Sequence, residues 1–516
     1  MRPLRATASP PPPSSRRPEG NLSRLAGSAG ALFAGGWMAY ALSTLFQIVV
    51  ARSIGAHEFG AYIVGVGIAW VLAQIAPFGM TWAVVRYVAL FRSQDDAERL
   101  RGTVLLGAKV TAAGGAILGA AMFLAAPLLA GRVLHDPEFT TQLRLLSLSV
   151  PLSALTELLL ATVQAHTRVL STVLVRSVAV PALRLVGALG ALAIWGGGAA
   201  TVAAGYLTAE GVALLLAVAS VLRVLTFGPS VHPGRHVVRY ARPLAAQRIL
   251  ESSTADFGNL VLSASRSTNL AALFTAALRF TEVANALFKA IGIAIAPMVS
   301  DIHGANQREH LARLYKAASR WMFAIGTPAF LVQLLFGRWL LSLFGDEFTA
   351  AYAALVTVAI GQMVNYTSGV TVDIIRMIGR SGLMLANTVF DVTSYVLLNL
   401  VLVPRYGLKG AALAAALQLA SSNVVRAVEV WVITRMHPYS VAFAKPLVAG
   451  IGAAVAVLAT RPLLGGGAAE LLGLLVLGVA YVGLLVALRF DPEDKAVAQQ
   501  LLGRVRTRRS ASAGVG

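Results

Sequence analysis

An apolar segment near the middle of the chain carries four polar or ionisable side chains at helical spacing. At 100° per residue, Arg279, Glu282, Asn285 and Lys289 fall within a stripe of about 120° on one helix face. A charge near the centre of a bilayer costs several kcal/mol, so such residues normally face a polar cavity or an ionic partner. The basic side chains of this stripe predict contact with a phosphate or pyrophosphate, which guanidinium and ammonium groups bind well.

The preceding apolar segment carries a second polar face. Its members fall within about 80° of one another and are Arg248, Ser252, Asp256, Asn259 and Ser263. We expect the two faces to line part of a water-filled cavity, where Arg248 adds a cation and the uncharged side chains meet sugar hydroxyls. The alternative is internal ion pairing, as between Arg279 and Glu282, which cancels the charges without lining a cavity. A pair of Asp256 with Lys289 would act in the same way.

Two basic residues in the first half of the chain, Arg184 and Lys109, lie deep in other apolar segments and complete the predicted set of cavity cations. Transport of an anion also needs a driving force. A carboxylate that titrates or binds Na⁺ supplies one when its affinity differs between two conformational states. Asp256, Glu282 and Asp391 are the candidates for coupling to H⁺ or Na⁺, and the sequence leaves the choice open.

These residues belong to a chain that is largely apolar. Of its 516 residues, 57% are hydrophobic and 13% charged, and the mean hydropathy is +0.72. A helix needs about 20 apolar residues to cross ~30 Å of hydrocarbon, and fourteen segments approach or exceed that length. They cover residues 29–50, 61–82, 103–130, 143–164, 169–194, 199–220, 244–264, 270–298, 318–343, 350–372, 382–403, 408–433, 443–461 and 468–488. The expected fold is an all-α polytopic membrane protein with 14 transmembrane helices.

The distribution of Lys and Arg predicts the orientation of these spans. Basic residues concentrate in every second connection and in both tails, whereas the other connections, together with the span ends beside them, hold seven. Cytoplasmic loops carry the excess of positive charge, so both termini are expected in the cytoplasm. Residues 1–28 should form a disordered basic tail, residues 491–516 a second basic tail, and residues 301–321 an interfacial amphipathic helix.

A weak internal repeat divides the spans into two groups. Pro137-Glu138-Phe139-Thr140 recurs as Asp346-Glu347-Phe348-Thr349 at an offset of 209 residues, and the span order agrees over six helices. Because six is even, the two copies point the same way, and a pseudo-two-fold axis along the membrane normal relates them. We expect an N-lobe at residues 29–222, a cytoplasmic linker at 223–243, a C-lobe at 244–434 and two further helices at 435–490. The lobes should face a central cavity.

The composition argues against several classes of function. The chain has no cysteine and its eight histidines do not cluster, so neither thiolate chemistry nor a metal site is expected. No Walker A pattern occurs, which argues against ATP hydrolysis. The formal charge of +20 comes from residues scattered at helix ends, unlike a nucleic-acid-binding surface. We expect no enzymatic activity, no cofactor and no nucleic-acid partner.

Three turns of the chain resemble those of a known transporter family. Residues 51–62 read Ala-Arg-Ser-Ile-Gly-Ala-His-Glu-Phe-Gly-Ala-Tyr, residues 343–348 read Leu-Phe-Gly-Asp-Glu-Phe, and residues 399–412 include Pro404-Arg405-Tyr406-Gly407. They are similar to loops of the polysaccharide flippases of the multidrug/oligosaccharidyl-lipid/polysaccharide exporter (MOP) superfamily, and the likeness covers about residues 25–440. The motifs mark the fold, and we assign them no binding role.

The resemblance implies a flippase that moves an undecaprenyl-pyrophosphate-linked oligosaccharide across the bacterial cytoplasmic membrane, for building surface polysaccharide such as lipopolysaccharide. Rocking of the two lobes would give alternating access. The implied partners are the lipid-linked oligosaccharide, membrane lipids and a polysaccharide polymerase complex. A lipid II flippase is a close alternative.

Other functions are less favoured. A cation-coupled drug or metabolite antiporter often has an acidic residue in its first span, and residues 29–50 hold no charge. A membrane-embedded polysaccharide polymerase should show a long outside loop or a cluster of catalytic carboxylates or histidines, and the sequence shows neither. A structural scaffold would leave the charged stripes unexplained.

Overall fold

The computed structural model of the chain describes residues 19–166, 174–225, 228–232, 234–254, 256–265, 267–282, 285, 288, 307–377, 381–463 and 469–488. For residues 19–35 it describes the helical backbone alone. All regular elements in these ranges are helical, and eleven of the helices are long and apolar enough to cross a membrane. This confirms an all-α polytopic membrane fold.

Six helices form the described part of the first half. They are α1 (Glu19–Ile75), α2 (Met80–Ser93), α3 (Ala97–Arg132), α4 (Thr140–Ala165), α5 (Val180–Trp195) and α6 (Ala199–Leu222). A π-helical turn, Leu174–Ala179, leads into α5. The first predicted span and most of the second lie in α1, which changes direction at Gly55, where φ is 76° and ψ is 168°. Residues with a Cβ are strained at this positive φ.

The described part of the second half also contains broken helices. Its elements are α7 (Arg235–Ser253), α8 (Phe257–Ser265), α9 (residues 268–282), α10 (Arg308–Ser342), α11 (Tyr352–Ser368), α12 (Thr371–Met377), α13 (Ser381–Tyr406), α14 (Leu408–Thr434), α15 (Ala444–Thr460) and α16 (Ala469–Ala487). The seventh predicted span is interrupted at residues 254–256, and the tenth at Gly369, whose φ is 67°.

Several predicted boundaries differ from the structure. Helix α1 begins at Glu19, within the tail predicted to be disordered, and α7 begins at Arg235, within the predicted linker. Three predicted spans do not appear as separate long helices among the eleven. The second shares α1 with the first, the seventh is split into α7 and α8, and the eighth runs past residue 282 into residues that are not described.

The prediction of an interfacial helix at residues 301–321 is wrong for the part of the segment that the structure describes. Residues from Arg308 onward continue directly into the membrane helix α10. The apolar stripe of this segment, including Leu311, Leu314 and Tyr315, is buried and packs in one cluster with Tyr366 and Ile374. The amphipathic pattern therefore reflects packing against the protein, because neighbouring helices cover the face that we assigned to the membrane surface.

The two halves repeat the same helix pairings. Helix α4 packs against α3 and α6, and α5 packs against α6; in the second half α11 packs against α10 and α14, and α13 against α14. The repeated motifs adopt matching 3₁₀ turns, Pro137–Phe139 before α4 and Asp346–Ala351 before α11. Small residues permit close helix approach in both halves, since added Cβ atoms would crowd at Gly187 and Gly205 and at Gly361.

At one end of the bundle the two halves meet through the motifs that we assigned to turns. Phe59 packs between Phe344 and Phe348, with ring centroids 6.4 and 6.1 Å away, and all three rings are fully buried. Gly60 lies so close to the Thr268 carbonyl that an added Cβ would overlap it. This contact between residues 52–60 on one side and Thr268 and residues 342–348 on the other is named the interlobe lock.

Hydrogen bonds reinforce the interlobe lock. The Glu347 carboxylate accepts the backbone N–H of Ala56 at 2.7 Å, just beyond the break at Gly55. The Arg52 Nη2 donates to the Ser342 carbonyl at 3.0 Å. Backbone N–H groups that follow a helix break lack a partner within the helix and attract a carboxylate. Glu347 supplies this acceptor at the break in α1. The structure is closed at this end.

Candidate functional site

A cavity of about 130 Å³ lies between the two halves of the chain. The residues that line it are Ser43, Phe46, Gln47, Tyr62, Ile63, Val66, Pro181, Arg184, Tyr206 and Arg279. Of the five predicted cavity cations, two line it, Arg184 from α5 and Arg279 from α9. We name it the central pocket. Two basic residues from opposite halves thus line one partly open, partly aromatic pocket.

The cation of the first half is held by a buried carboxylate. Arg184 donates from Nε to the Glu210 Oε1 at 2.8 Å, and its Nη2 lies 2.6 Å from the same oxygen. The Glu210 side chain is 2% exposed, whereas that of Arg184 is 30% exposed. Ser153 donates to the second carboxylate oxygen at 2.7 Å. The Tyr206 ring centroid lies 4.8 Å from the guanidinium carbon, in cation–π contact.

The cation of the second half has a more exposed partner. Arg279 donates from Nε to the Gln47 Oε1 at 2.6 Å, which links α9 to α1 across the halves. Its Nη1 donates to Glu282 at 3.0 Å. The Arg279 side chain is 22% exposed and that of Glu282 is 52% exposed. The residue thus both lines the pocket and forms the ion pair that we considered as an alternative.

A tyrosine hydroxyl in the pocket is left without a partner. Tyr62 is 1% exposed, and its Oη has no hydrogen-bond partner in the described ranges. The ring packs edge-on against Tyr206, with centroids 6.5 Å apart. Buried hydroxyls normally find a partner, so an orphaned one in a cavity wall indicates that a ligand or water completes it.

The remaining residues of the predicted stripes lie away from this pocket or at its margin. Arg248 donates to the Gln74 Oε1 at 2.6 Å and so links α7 to α1. Asn285 is helical and half-buried. Lys289 lies outside the described residues. Lys109 is exposed on α3, on the same helix face as the exposed Leu105 and Ile117, which places it on the outer surface of the bundle.

Asp256 belongs to a second polar cluster, at the break between α7 and α8. It accepts the Asn259 amide at 3.3 Å and packs against Gly67 of α1. Three buried polar oxygens in this region of α8 and α13 have no partner among described residues: Asn259 Oδ1, Ser263 Oγ and Asn399 Oδ1. Asn259 lies beside Asp256, and a carboxylate next to an unpartnered amide oxygen offers ligands to a cation or water.

Asp391 is engaged within the second half. It accepts the Ser422 hydroxyl at 2.5 Å and pairs with Arg426, both on α14. Neighbouring Glu429 accepts the Asn387 amide at 2.7 Å. These bonds join α13 to α14. In the described part of the chain, acidic residues and histidines do not form a group of three that could hold a metal ion.

Several pocket residues were not predicted from the sequence. Gln47, Tyr62 and Tyr206 are uncharged, and such residues are common in apolar helices. Glu210 had a usable signal that we did not apply: Arg184 lies 13 residues before Gly197 and Glu210 lies 13 residues after it. In two antiparallel helices joined by a tight turn at Gly197, residues equally far from the turn lie at the same depth, so the pair was predictable.

The pocket's chemistry suits an anion with several oxygens. Each arginine uses two of its three nitrogens on internal partners, and the remaining terminal nitrogen has no hydrogen-bond partner in the ranges described. Guanidinium groups bind phosphate through such N–H donors. Arg184, Arg279 and Tyr62 all line the pocket, so the two guanidinium groups and the orphaned hydroxyl are donors available around one cavity.

The fold is one found in membrane transporters of known structure. The structure superposes on a lipid II flippase, MurJ, in an inward closed conformation with a TM-score of 0.70, covering 88% of this chain and 97% of that one at 12% identity. An inward-facing multidrug resistance MATE family transporter superposes with a TM-score of 0.63, covering 79% and 98% of the two chains at 16% identity. At these identities the likeness shows the fold alone.

Sequence matches then identify the family. Residues 25–303 match the family described as "Polysaccharide biosynthesis protein", and residues 243–404 match the MatE family. The first match spans more than half of the chain, and the chain belongs to the polysaccharide biosynthesis protein family. A probable low-salt glycan biosynthesis flippase from Haloferax volcanii, Agl15, is 26% identical over 155 residues, which cover 30% of this chain and 33% of that protein. The resemblance to polysaccharide flippases is confirmed.

Proposed function

We propose that this protein is a flippase that moves an undecaprenyl-pyrophosphate-linked oligosaccharide repeat unit across the bacterial cytoplasmic membrane, without enzymatic chemistry. The observation that carries the proposal is the central pocket, which Arg184 and Arg279 line from opposite halves of the chain. A pyrophosphate linkage is the anionic part of such a substrate, and bidentate guanidinium donors match it. Family membership supports the polysaccharide pathway.

In this proposal the chain has fourteen transmembrane helices with both termini in the cytoplasm, and the interlobe lock closes its outer side. A pocket of about 130 Å³ has no room for an oligosaccharide, so the sugars require an opened state of the cavity. Rocking of the two halves would break the interlobe lock and expose the pocket to the outside. Substrate release would follow.

The principal test is lipid translocation in liposomes. Purified protein is reconstituted with an undecaprenyl-pyrophosphate disaccharide that carries a fluorophore on its sugar, and a membrane-impermeant quencher reports the outer-leaflet fraction over time. The intact protein should equilibrate the lipid, and Arg279→Ala should slow it at least about tenfold. Arg338→Ala is the control, since Arg338 is exposed on α10 and does not line the pocket. Equal rates for the protein and protein-free vesicles would overturn the proposal.

A second test addresses alternating access. Gly60→Ala places a Cβ against the Thr268 carbonyl and should weaken the interlobe lock. A single cysteine introduced at Ser53, which is exposed beside the lock, would be labelled from outside before and after the change. The proposal expects residues deeper in α1, such as a cysteine replacing Ser43, to gain labelling from outside in Gly60→Ala. No gain at Ser43 would argue against opening at this end.

Coupling to H⁺ or Na⁺ is also a proposal. Asp256 is the preferred candidate because it lies at the break between α7 and α8, beside Asn259, whose amide oxygen lacks a partner among described residues. Glu282 is exposed and Asp391 is held by Ser422 and Arg426. Asp256→Asn should abolish the response of translocation to an imposed Na⁺ or pH gradient and leave gradient-free equilibration. A retained response would move the coupling site elsewhere.

A lipid II flippase is the second candidate function, because the structure superposes on such a protein over 88% of this chain. The anion pocket does not separate the two, since both would present a pyrophosphate. Competition in the liposome assay between lipid II and the undecaprenyl-pyrophosphate disaccharide separates them. Preferential movement of lipid II would decide for the second candidate.

A further inference from the structure

Glu210 is the one carboxylate that contacts a pocket arginine from a fully buried position within the described residues. We infer that Glu210 is a positioning and release residue: it aims Arg184 at the central pocket and competes with the bound anion for the same guanidinium. This inference rests on the proposed function and adds how the site lets its anion go. From the sequence we did not predict a role for Glu210 in the site.

The hydrogen bonds of Arg184 support the positioning role of Glu210. Both Nε and Nη2 of Arg184 are directed at Glu210 Oε1, and Ser153 fixes Oε2 at 2.7 Å. The Tyr206 ring covers the guanidinium at 4.8 Å. A planar guanidinium held along one edge and across one face has a single orientation, which lowers the entropy lost when its remaining nitrogen binds a ligand.

The charge and the burial of Glu210 support its role in releasing the anion. A carboxylate that is 2% exposed is screened little by water, so its field reduces the positive potential that an anion meets at Arg184. A transporter must bind strongly enough to select its substrate and weakly enough to release it. Glu282 is poorly suited to this role, because its 52% exposure lets solvent and salt screen it.

The test separates the charge of Glu210 from its shape. In Glu210→Gln the amide oxygen can still accept from Arg184, and the amide N–H can donate to Ser153, so the geometry is kept and the negative charge is lost. The probe is geranylgeranyl pyrophosphate, and its Kd is measured with purified protein in detergent micelles. We expect Glu210→Gln to bind the probe about fivefold more tightly and to translocate the lipid-linked disaccharide more slowly.

Two further variants keep the test decisive if Glu210→Gln folds poorly. Ser153→Ala removes the hydrogen bond that Ser153 donates to Oε2, so the carboxylate holds Arg184 more strongly and the probe should bind more weakly, by about twofold. Adding Arg184→Gln to Glu210→Gln should erase the gain in affinity, since the gain acts through Arg184.

The matched control is Glu157→Gln. Glu157 is a carboxylate on α4 that pairs with Arg176 at 2.5 Å and does not line the pocket. Its Kd should equal that of the wild type.

The outcomes distinguish this inference from the proposed function. Unchanged or weaker probe binding by folded Glu210→Gln, with binding lost in Arg184→Gln and Arg279→Gln, would overturn the role of Glu210 and leave the anion site standing. Full probe binding by both arginine variants would overturn the anion site itself. Opposite shifts in Glu210→Gln and Ser153→Ala would establish the inference, because an ion pair that serves stability alone predicts no tighter binding in either variant.

Discussion

The two arginines of the central pocket are held in different ways. Arg184 faces a carboxylate that is 2% exposed and fixed by a serine, whereas Arg279 faces one that is 52% exposed and bonds to the neutral Gln47. A buried ion pair is costly to break because it leaves an unscreened charge, while an exposed pair contributes little. The first half therefore supplies a fixed cation and the second half an exchangeable one, and four changes test this contrast.

The largest expected effect is on stability. Arg184→Ala leaves Glu210 without its ionic partner inside an apolar bundle, and we expect the free energy of unfolding to fall by about 3 kcal/mol. Arg279→Ala should lower it by less, about 1 kcal/mol, since Glu282 remains hydrated and the main loss is the hydrogen bond to Gln47. Thermal unfolding of the purified variants in one detergent gives the comparison. Equal losses for the two variants would remove the distinction between fixed and exchangeable cations.

Ligand binding should show a smaller difference between the halves. Arg279→Ala should weaken the binding of geranylgeranyl pyrophosphate about tenfold, because a charge-assisted hydrogen bond is lost. Arg279→Lys should recover only part of this loss. The planar guanidinium of arginine can donate to Gln47 and to the anion through separate nitrogens, whereas lysine has a single nitrogen. Titration of each variant with the probe measures both, with Arg338→Ala as the unaffected reference. Full recovery by lysine would show that only charge matters.

The orphaned hydroxyl belongs to Tyr62, which lines the central pocket. Tyr62→Phe removes a buried polar group without a described partner, so the empty protein should be as stable as the wild type or more stable by up to about 1 kcal/mol. The probe should bind about threefold more weakly if the hydroxyl donates to the anion. A variant that is less stable and binds normally would assign the hydroxyl to an internal network instead.

The smallest effect is expected at the exposed carboxylate. Glu282→Gln should tighten probe binding by about twofold at low salt, and the gain should vanish as ionic strength rises, because the exposed Arg279 pair is screened. Kd values at two salt concentrations provide the measurement. A gain as large as that of Glu210→Gln, or one that is insensitive to salt, would mean that the two pairs act alike.

Much of the fold could be predicted from the sequence because hydrocarbon thickness fixes helix length. Apolar stretches such as residues 408–433 and 199–220 match α14 and α6 to within two residues. The breaks were harder to predict, since they depend on contacts from distant residues. Gly55 breaks α1 where Glu347 supplies an acceptor from 291 residues away. The apolar stripe of α10 was assigned to the membrane surface because the sequence does not reveal which neighbour covers it.

The candidate site could be predicted in part for a related reason. Charge inside an apolar span is rare, which singled out Arg184 and Arg279, and both line the central pocket. The same argument selected Lys109, which is exposed on the outer surface of α3, because rarity does not tell the direction in which a side chain points. Tyr62 and Gln47 carry no charge, so nothing in one sequence distinguishes them from ordinary packing residues.

The position of Arg184 and Glu210 about their turn also has a consequence for biosynthesis. Each lies 13 residues from Gly197, which is about 20 Å along its helix, so both enter the hydrocarbon region well away from the headgroups. A single arginine or glutamate at such depth makes a helix costly to insert. If α5 and α6 insert together as a hairpin, the pair is neutral on entry. Insertion of the two helices as one hairpin would therefore cost less than insertion of either helix alone.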